Sequence, residues 1–304
     1  MRNTWIALAA TALLTFAAGC GGEDEPAPFP EGSLKARLAA QPGEDVGLVL
    51  GTSVFTVGEN RISFLVVGND GALVEAPTAK LYVARSLEGR PIATGTAQRR
   101  SLDPHGEGRH TQEHAEPNSE ALFVTRLDFP KPGKYWFVVD LPGKPTQGIG
   151  LVDVKAASPV PAVGEKAIPS DNPTLADAPA REISTARPPA KELLRSSIRD
   201  AIEARVPFVV VFATPAYCSS RTCGPTVEIV EEARRRLAPT TTRFIHVEVY
   251  EGNDPANGVN AFMKEWKLPT EPWIFVVDSS GTIRARFEGS ASLEELEQAV
   301  RSVS

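Results

Sequence analysis

Cys218 and Cys223, in the stretch FATPAYCSSRTCGPT, are the residues best suited to covalent chemistry. A thiolate opens disulfides and binds soft metals, so what a cysteine can do follows from how readily it ionises. Cys223 is followed by Gly224-Pro225 and by an apolar-periodic run over 226–237, which puts it at the start of a predicted helix. Unpaired backbone N–H groups and the positive end of the dipole favour an anionic sulfur there, and Pro225 suits a first turn. One sulfur of such a pair can attack a disulfide and the other can resolve the mixed disulfide that forms. Sequence leaves both assignments open. The helix start favours Cys223 as the attacking thiol, and Cys218, closing the preceding loop, is the more mobile partner.

The third cysteine, Cys20, follows Arg2, an apolar stretch over 5–18 that is too short to span a bilayer, and Ala17-Ala18-Gly19. This resembles a bacterial lipoprotein signal peptide. The resemblance implies that Cys20 becomes the lipidated first residue of a protein anchored on the extracytoplasmic side of the cell membrane. Residues 21–32, with Glu23-Asp24-Glu25 and three prolines, read as an acidic tether. In an exported chain the default fate of Cys218 and Cys223 is oxidation, so an inert disulfide is the alternative to a redox pair.

His105, His110 and His114 share one polar stretch between predicted strands. Their spacing allows a copper or zinc site, but no cysteine or methionine stands beside them, and a mobile surface loop explains the composition without a metal. The net charge is −6 and no segment is a basic footprint, which argues against nucleic acid as a partner. Arg234-Arg235-Arg236 reads as the solvated end of a helix. No motif asks for a cofactor.

The elements that must position the cysteines fall into two predicted domains. Residues 33–155 carry short alternating runs at 47–50, 61–67, 79–84, 122–127, 134–140 and 149–154, separated by turns such as Asn69-Asp70-Gly71. They predict an all-β immunoglobulin-like sandwich without a helix. The segments NRISFLVVGNDG and PGKYWFVVD also resemble β-sandwich modules of exported bacterial redox and copper-handling proteins. Residues 156–189 are a proline-rich linker. Residues 190–304 predict the order α-β-α-β-α-β-β-α, with buried strands at 207–213 and 273–277 and a capping box from Ser292 to Glu295.

That order, with the motifs FATPAYCSSRTCGPT and EPWIFVVDSSGTI, resembles the thioredoxin superfamily over 190–304. The resemblance implies an α/β thioredoxin-like fold, a cis peptide bond before Pro272 facing the cysteines, and substrate contact by Tyr217, Gly224, Pro225, Glu271 and Pro272. Two departures stand out: Thr226 replaces the second cysteine of the CGPC motif, and the strand over 208–213 lacks the family's buried acid. The implied function is a membrane-tethered thiol:disulfide oxidoreductase that acts on exported protein thiols or disulfides and is served by an electron donor. Two alternatives share the residues. One is a peroxiredoxin-like peroxidase, suggested by Thr214-Pro215 and the C-x4-C spacing. The other is a copper-binding module using Cys218, Cys223 and His246, although copper modules of this kind use C-x3-C.

Overall fold

The computed structural model describes residues 29–40, 43–104, 121–218 and 222–304. Residues 1–28, with Cys20, the expected leader and most of the expected tether, and residues 105–120, with His105, His110 and His114, lie outside the described residues. Among the described residues, no helix is long and apolar enough to cross a membrane.

The chain enters through α1 (Leu34–Ala40), which the sequence did not predict. Ser33 Oγ accepts the N–H of Ala36 at 3.0 Å, and Leu34 is buried against Tyr82, Ala84 and Val138. Seven strands follow: β1 (Glu44–Leu50), β2 (Gly58–Val67), β3 (Thr78–Ala84), β4 (Ala93–Ser101), β5 (Ala121–Phe129), β6 (Gly133–Leu141) and β7 (Lys144–Val154). β4, with the polar sequence ATGTAQRRS, has only Ala97 fully buried, and its weak alternation hid it from sequence reading.

The strands run in the order β1-β2-β5-β4-β3-β6-β7 and close into a barrel. Closure comes from β1, which pairs antiparallel with β2 and parallel with β7, Glu44 facing Thr146 and Val46 facing Gly148. Phe55, Phe64, Phe129, Tyr135 and Phe137 fill the interior. Inward and outward residues alternate in a barrel as they do in a sandwich, so periodicity alone does not separate the two.

The segment after the barrel contributes Val160 and Ala167 to the next core and includes α2 (Ala180–Ile183). Then come α3 (Ile198–Glu203), β8 (Phe208–Phe212), α4 (Cys223–Arg236), β9 (Arg243–Val247), α5 (Ala261–Glu265), β10 (Trp273–Val277), β11 (Ile283–Glu288) and α6 (Leu293–Arg301). This succession follows the predicted order. The sheet runs β11-β10-β8-β9, with β8 parallel to β9 and antiparallel to β10. β8 and β10 are buried on both faces, which is why both read as unbroken apolar runs. Val209, Val211, Ile274 and Val276 meet Val230, Ala233 and Leu296 of α4 and α6. Phe208, Phe212 and Phe275 meet Trp266 and Met263 on the other side.

The predicted fold class therefore needs correction. In place of an immunoglobulin-like sandwich joined to a thioredoxin-like α/β domain, the chain has a closed seven-stranded barrel and a separate four-stranded mixed sheet. Helix is sparse around that sheet: α2, α3 and α5 have only four to six residues, and α4, with 14, is the longest. The helix expected over 226–237 runs from Cys223 to Arg236, whereas the one expected over 257–266 is confined to Ala261–Glu265.

The barrel and the second sheet share polar and apolar contacts. Arg61 of β2 forks onto Glu295 of α6, Nε to Oε1 at 2.9 Å and Nη2 to Oε2 at 3.0 Å, and Nη2 also donates to the Ser290 carbonyl at 3.1 Å. Glu288 accepts the Val54 N–H at 2.9 Å and the Ser53 hydroxyl. Gly289, at φ +72°, lies so close to the barrel that a Cβ there would stand 3.1 Å from the Gly51 carbonyl oxygen. Leu102 and Leu122 extend the α4-side core into the barrel.

Candidate thiol site

The cysteine loop leaves the C-terminal end of β8, where a strand edge gives way to the start of α4. Ala213 still donates to the Val247 carbonyl at 3.1 Å, and Thr214 is fully buried. A turn then forms as Tyr217 donates its N–H to the Thr214 carbonyl at 3.2 Å, and Thr185 Oγ1 accepts the Ala216 N–H at 3.1 Å. Cys218 follows that turn and Cys223 opens α4.

Thr222 occupies the N-cap of α4 without a side-chain capping bond. The sulfur of Cys218 instead accepts the backbone N–H of Cys223, the first residue of the helix, at 3.3 Å. It therefore sits at the positive end of a 14-residue helix, where negative charge is stabilised. Thr226 Oγ1 donates to the Thr222 carbonyl at 2.7 Å and lies 2.9 Å from Ser290 Oγ. This buried residue anchors the first turn instead of supplying a second thiol.

Cys218 is half-buried, whereas Cys223 is fully buried in the core between β8 and α4. Hydrogen bonding to Cys218, then burial, holds the Cys223 thiol well above the usual thiol range. The helix start predicted the opposite for Cys223. The field of the helix is met by the neighbouring sulfur, and Cys223, turned inward, is desolvated.

The facing wall comes from the segment leading into β10. Trp273 pairs with Phe212, so that register continued backwards sets Pro272 and Glu271 opposite Ala213 and Thr214. Pro272 is buried, and the Glu271–Pro272 peptide bond is cis. Glu271 is half-buried, and its carboxyl is pushed above the ordinary range first by burial and then by the charge of Cys218. Tyr250, beyond β9, is also shifted upward, by burial and then by Glu271, Cys223 and Cys218. Glu271, Tyr250 and the two sulfurs thus form one electrostatic cluster. Sequence reading missed Tyr250, whose only signal was its place at the end of the 244–249 alternation.

Other predicted residues take lesser places. Gly224 and Pro225 are partly buried in the first turn of α4, and Tyr217 is exposed. A groove of about 730 Å³ runs from Pro215, Ala216 and Gly224 along α4 to Arg187 and Pro188. His246 is buried in β9, its Nε2 3.0 Å from the Ala213 carbonyl oxygen and its Nδ1 3.5 Å from Ser184 Oγ. Among the described residues, no group of three His, Cys, Asp or Glu side chains is placed to hold a metal ion. The triple-arginine run is the paired last turn of α4: Arg234 bridges to Glu231, and Arg235 and Arg236 bridge to Glu232.

No family model matches the chain, and no curated protein matches it. A solved structure of a thiol:disulfide interchange protein, described as a thioredoxin family protein, from Chlorobium tepidum TLS is similar at 16% identity with a TM-score of 0.27. The similarity covers 49% of this chain and 99% of that one.

Proposed function

We propose that this chain is a thiol:disulfide oxidoreductase in which Cys218 attacks and Cys223 resolves. One observation carries the reading: Cys218, only partly buried, accepts through its sulfur the N–H that opens α4, while Cys223 is fully buried. Cys218 therefore has both access to a substrate and stabilisation of its thiolate, the two requirements of an attacking sulfur. A Cys218 thiolate displaces one sulfur of a substrate disulfide and forms a mixed disulfide. Cys223 then attacks Cys218, closing the intramolecular disulfide and releasing the second substrate thiol. Two electrons pass from the pair to the substrate, and a dithiol donor restores the pair. The groove beside Pro215 and Gly224 suits an extended substrate segment.

The reading extends to the N-terminus. A lipidated Cys20 would hold the catalytic sheet near the outer face of the cell membrane, where exported proteins carry the disulfides it would act on. The acidic tether and the net charge of −6 give no footing for nucleic acid.

Reduction of insulin disulfides by the protein with a dithiol donor tests the activity. The wild-type protein is expected to turn over, and Cys218→Ala to be inactive. Equal rates for the two proteins would remove Cys218, and the proposal, from consideration.

A further inference from the structure

The proline-rich segment between barrel and second sheet ends in contacts on the cysteine loop. Ile183, Ser184, Thr185 and Ala186, at the end of α2 and just past it, are all buried. Side chains from both directions pin them. Asn253 Nδ2 donates to the Glu182 carbonyl at 2.9 Å, and Arg187 Nη1 donates back to the Ser184 carbonyl at 3.1 Å. The Thr185 N–H donates to Glu248 Oε1 at 2.5 Å. Glu248 is itself buried just past β9, so the Thr185 backbone rests on a fixed carboxylate and not on a mobile surface chain.

This strap in turn holds the loop that carries Cys218. Thr185 Oγ1 accepts the N–H of Ala216 at 3.1 Å, two residues before the cysteine. His246 of β9 meets the start of the loop: its Nε2 lies 3.0 Å from the Ala213 carbonyl oxygen, which can only accept, so Nε2 carries a proton. Its Nδ1 lies 3.5 Å from Ser184 Oγ. Between the two anchors Pro215 fixes one backbone dihedral, and the Tyr217 N–H closes the turn onto the Thr214 carbonyl. Residues 213–217 are thus held at Ala213 and Ala216, and Cys218 is carried on their end.

We propose that Thr185 is a positioning residue for the attacking sulfur: its hydroxyl, by holding the Ala216 N–H, fixes the turn from which Cys218 reaches the first N–H of α4. The inference rests on the oxidoreductase reading above, in which Cys218 attacks. The physical reason is reach. Stabilisation of an anion by a helix end fades within the first turn, and a hydrogen bond weakens steeply as its geometry is lost. Without the Thr185 acceptor the turn gains freedom, and the Cys218 sulfur spends less time on the Cys223 N–H. Its thiolate is then less favoured, and its reactivity moves to higher pH.

Thr185 also lines the groove beside α4, so the test uses a reagent too small to need that groove. Iodoacetamide alkylation of Cys218 is followed from about pH 5 to about pH 9 by peptide mass spectrometry, in the full chain carrying Cys20→Ser. In Thr185→Val the profile is expected to move to higher pH, with alkylation about fivefold slower near pH 6, the size of losing one hydrogen bond, and no slower at the alkaline plateau. Thr185→Ala is expected to move with it, and Thr185→Ser, which keeps the acceptor, to follow the parent. The titratable groups around Cys218 are Cys223 on α4, Glu271 before β10 and Tyr250 beyond β9. All three are retained in every variant, so a shift confined to proteins without the hydroxyl belongs to Thr185. Profiles of Thr185→Val and Thr185→Ala that overlay the parent's would overturn the proposal, as would a Thr185→Ser profile displaced as far as theirs. Labelling of Cys223 alongside Cys218 in both Thr185→Val and Thr185→Ala would also overturn it, because Thr185 would then be holding the fold as a whole. Failure of the oxidoreductase reading shows elsewhere: the parent would leave insulin disulfides intact, whatever the Thr185 profiles.

Discussion

The sulfur of Cys218 accepts the backbone N–H of Cys223, the first residue of α4, at 3.3 Å. Helix dipole, loop exposure and core burial thus divide unlike roles between two cysteines separated by only four residues. The positive helix end serves the sulfur of the partly buried Cys218, and the core holds the other as a thiol.

This division sets the order of alkylation. With Cys20→Ser as background, limited iodoacetamide at pH 7.5 is expected to modify Cys218 at least about tenfold faster than Cys223, because the thiolate is the reacting form and Cys223 is buried. Peptide mass spectrometry gives the ratio. Equal or reversed labelling would contradict the assignment.

Cys223 also ties stability to alkaline pH. Its thiol is held above the ordinary value of 9.0, so the folded state keeps a proton that the unfolded chain releases. The associated stability is fully present below about pH 9 and is lost as pH rises beyond it, by up to about 1.4 kcal/mol per pH unit for one proton. Urea titrations of reduced protein at several pH values should show a steeper alkaline loss in the parent than in Cys223→Ala. Parallel curves would mean that Cys223 ionises in the folded protein as it does in the unfolded chain.

Arg61 and Glu295 join the barrel to the four-stranded sheet and its α6 through a largely buried fork, with side-chain exposures of 7% and 17%. Burial pushes the Glu295 carboxyl up, but the hydrogen bond and charge of Arg61 outweigh it and leave the group below the usual carboxylate range. Arg61→Ala is expected to cost about 3 kcal/mol, since it strands a buried carboxylate. The stabilisation from Glu295 is present above its ordinary value of 4.5 and lost as pH falls below it, so the variant should show a flatter acid limb. Urea unfolding at pH 7 and pH 4 measures both effects.

Much of the sheet that carries the cysteines was legible because its strands are extreme. PFVVVFA and WIFVV are apolar on both faces, a pattern that a two-sided buried strand demands. The Ser292–Glu295 capping box marked the start of α6 directly. The barrel was less legible, because closure depends on β1 meeting β7 across about 100 residues of chain, a pairing that no local period records. β4 escaped because one buried alanine leaves too little alternation. In the site, sequence placed Cys223 at a helix start and Cys218 in the loop before it but could not show which sulfur turned inward. Glu271 was visible as the acid before Pro272, whereas its electrostatic coupling to Cys218 and Tyr250 required the fold.

Trapping the mixed disulfide tests the division of roles most directly. Cys223→Ser in the Cys20→Ser background is incubated with a disulfide-bonded protein substrate and analysed by non-reducing electrophoresis and mass spectrometry. A stable adduct linked through Cys218 is expected, with no adduct from the reciprocal Cys218→Ser protein. An adduct formed through Cys223 in Cys218→Ser, with none through Cys218, would contradict that division.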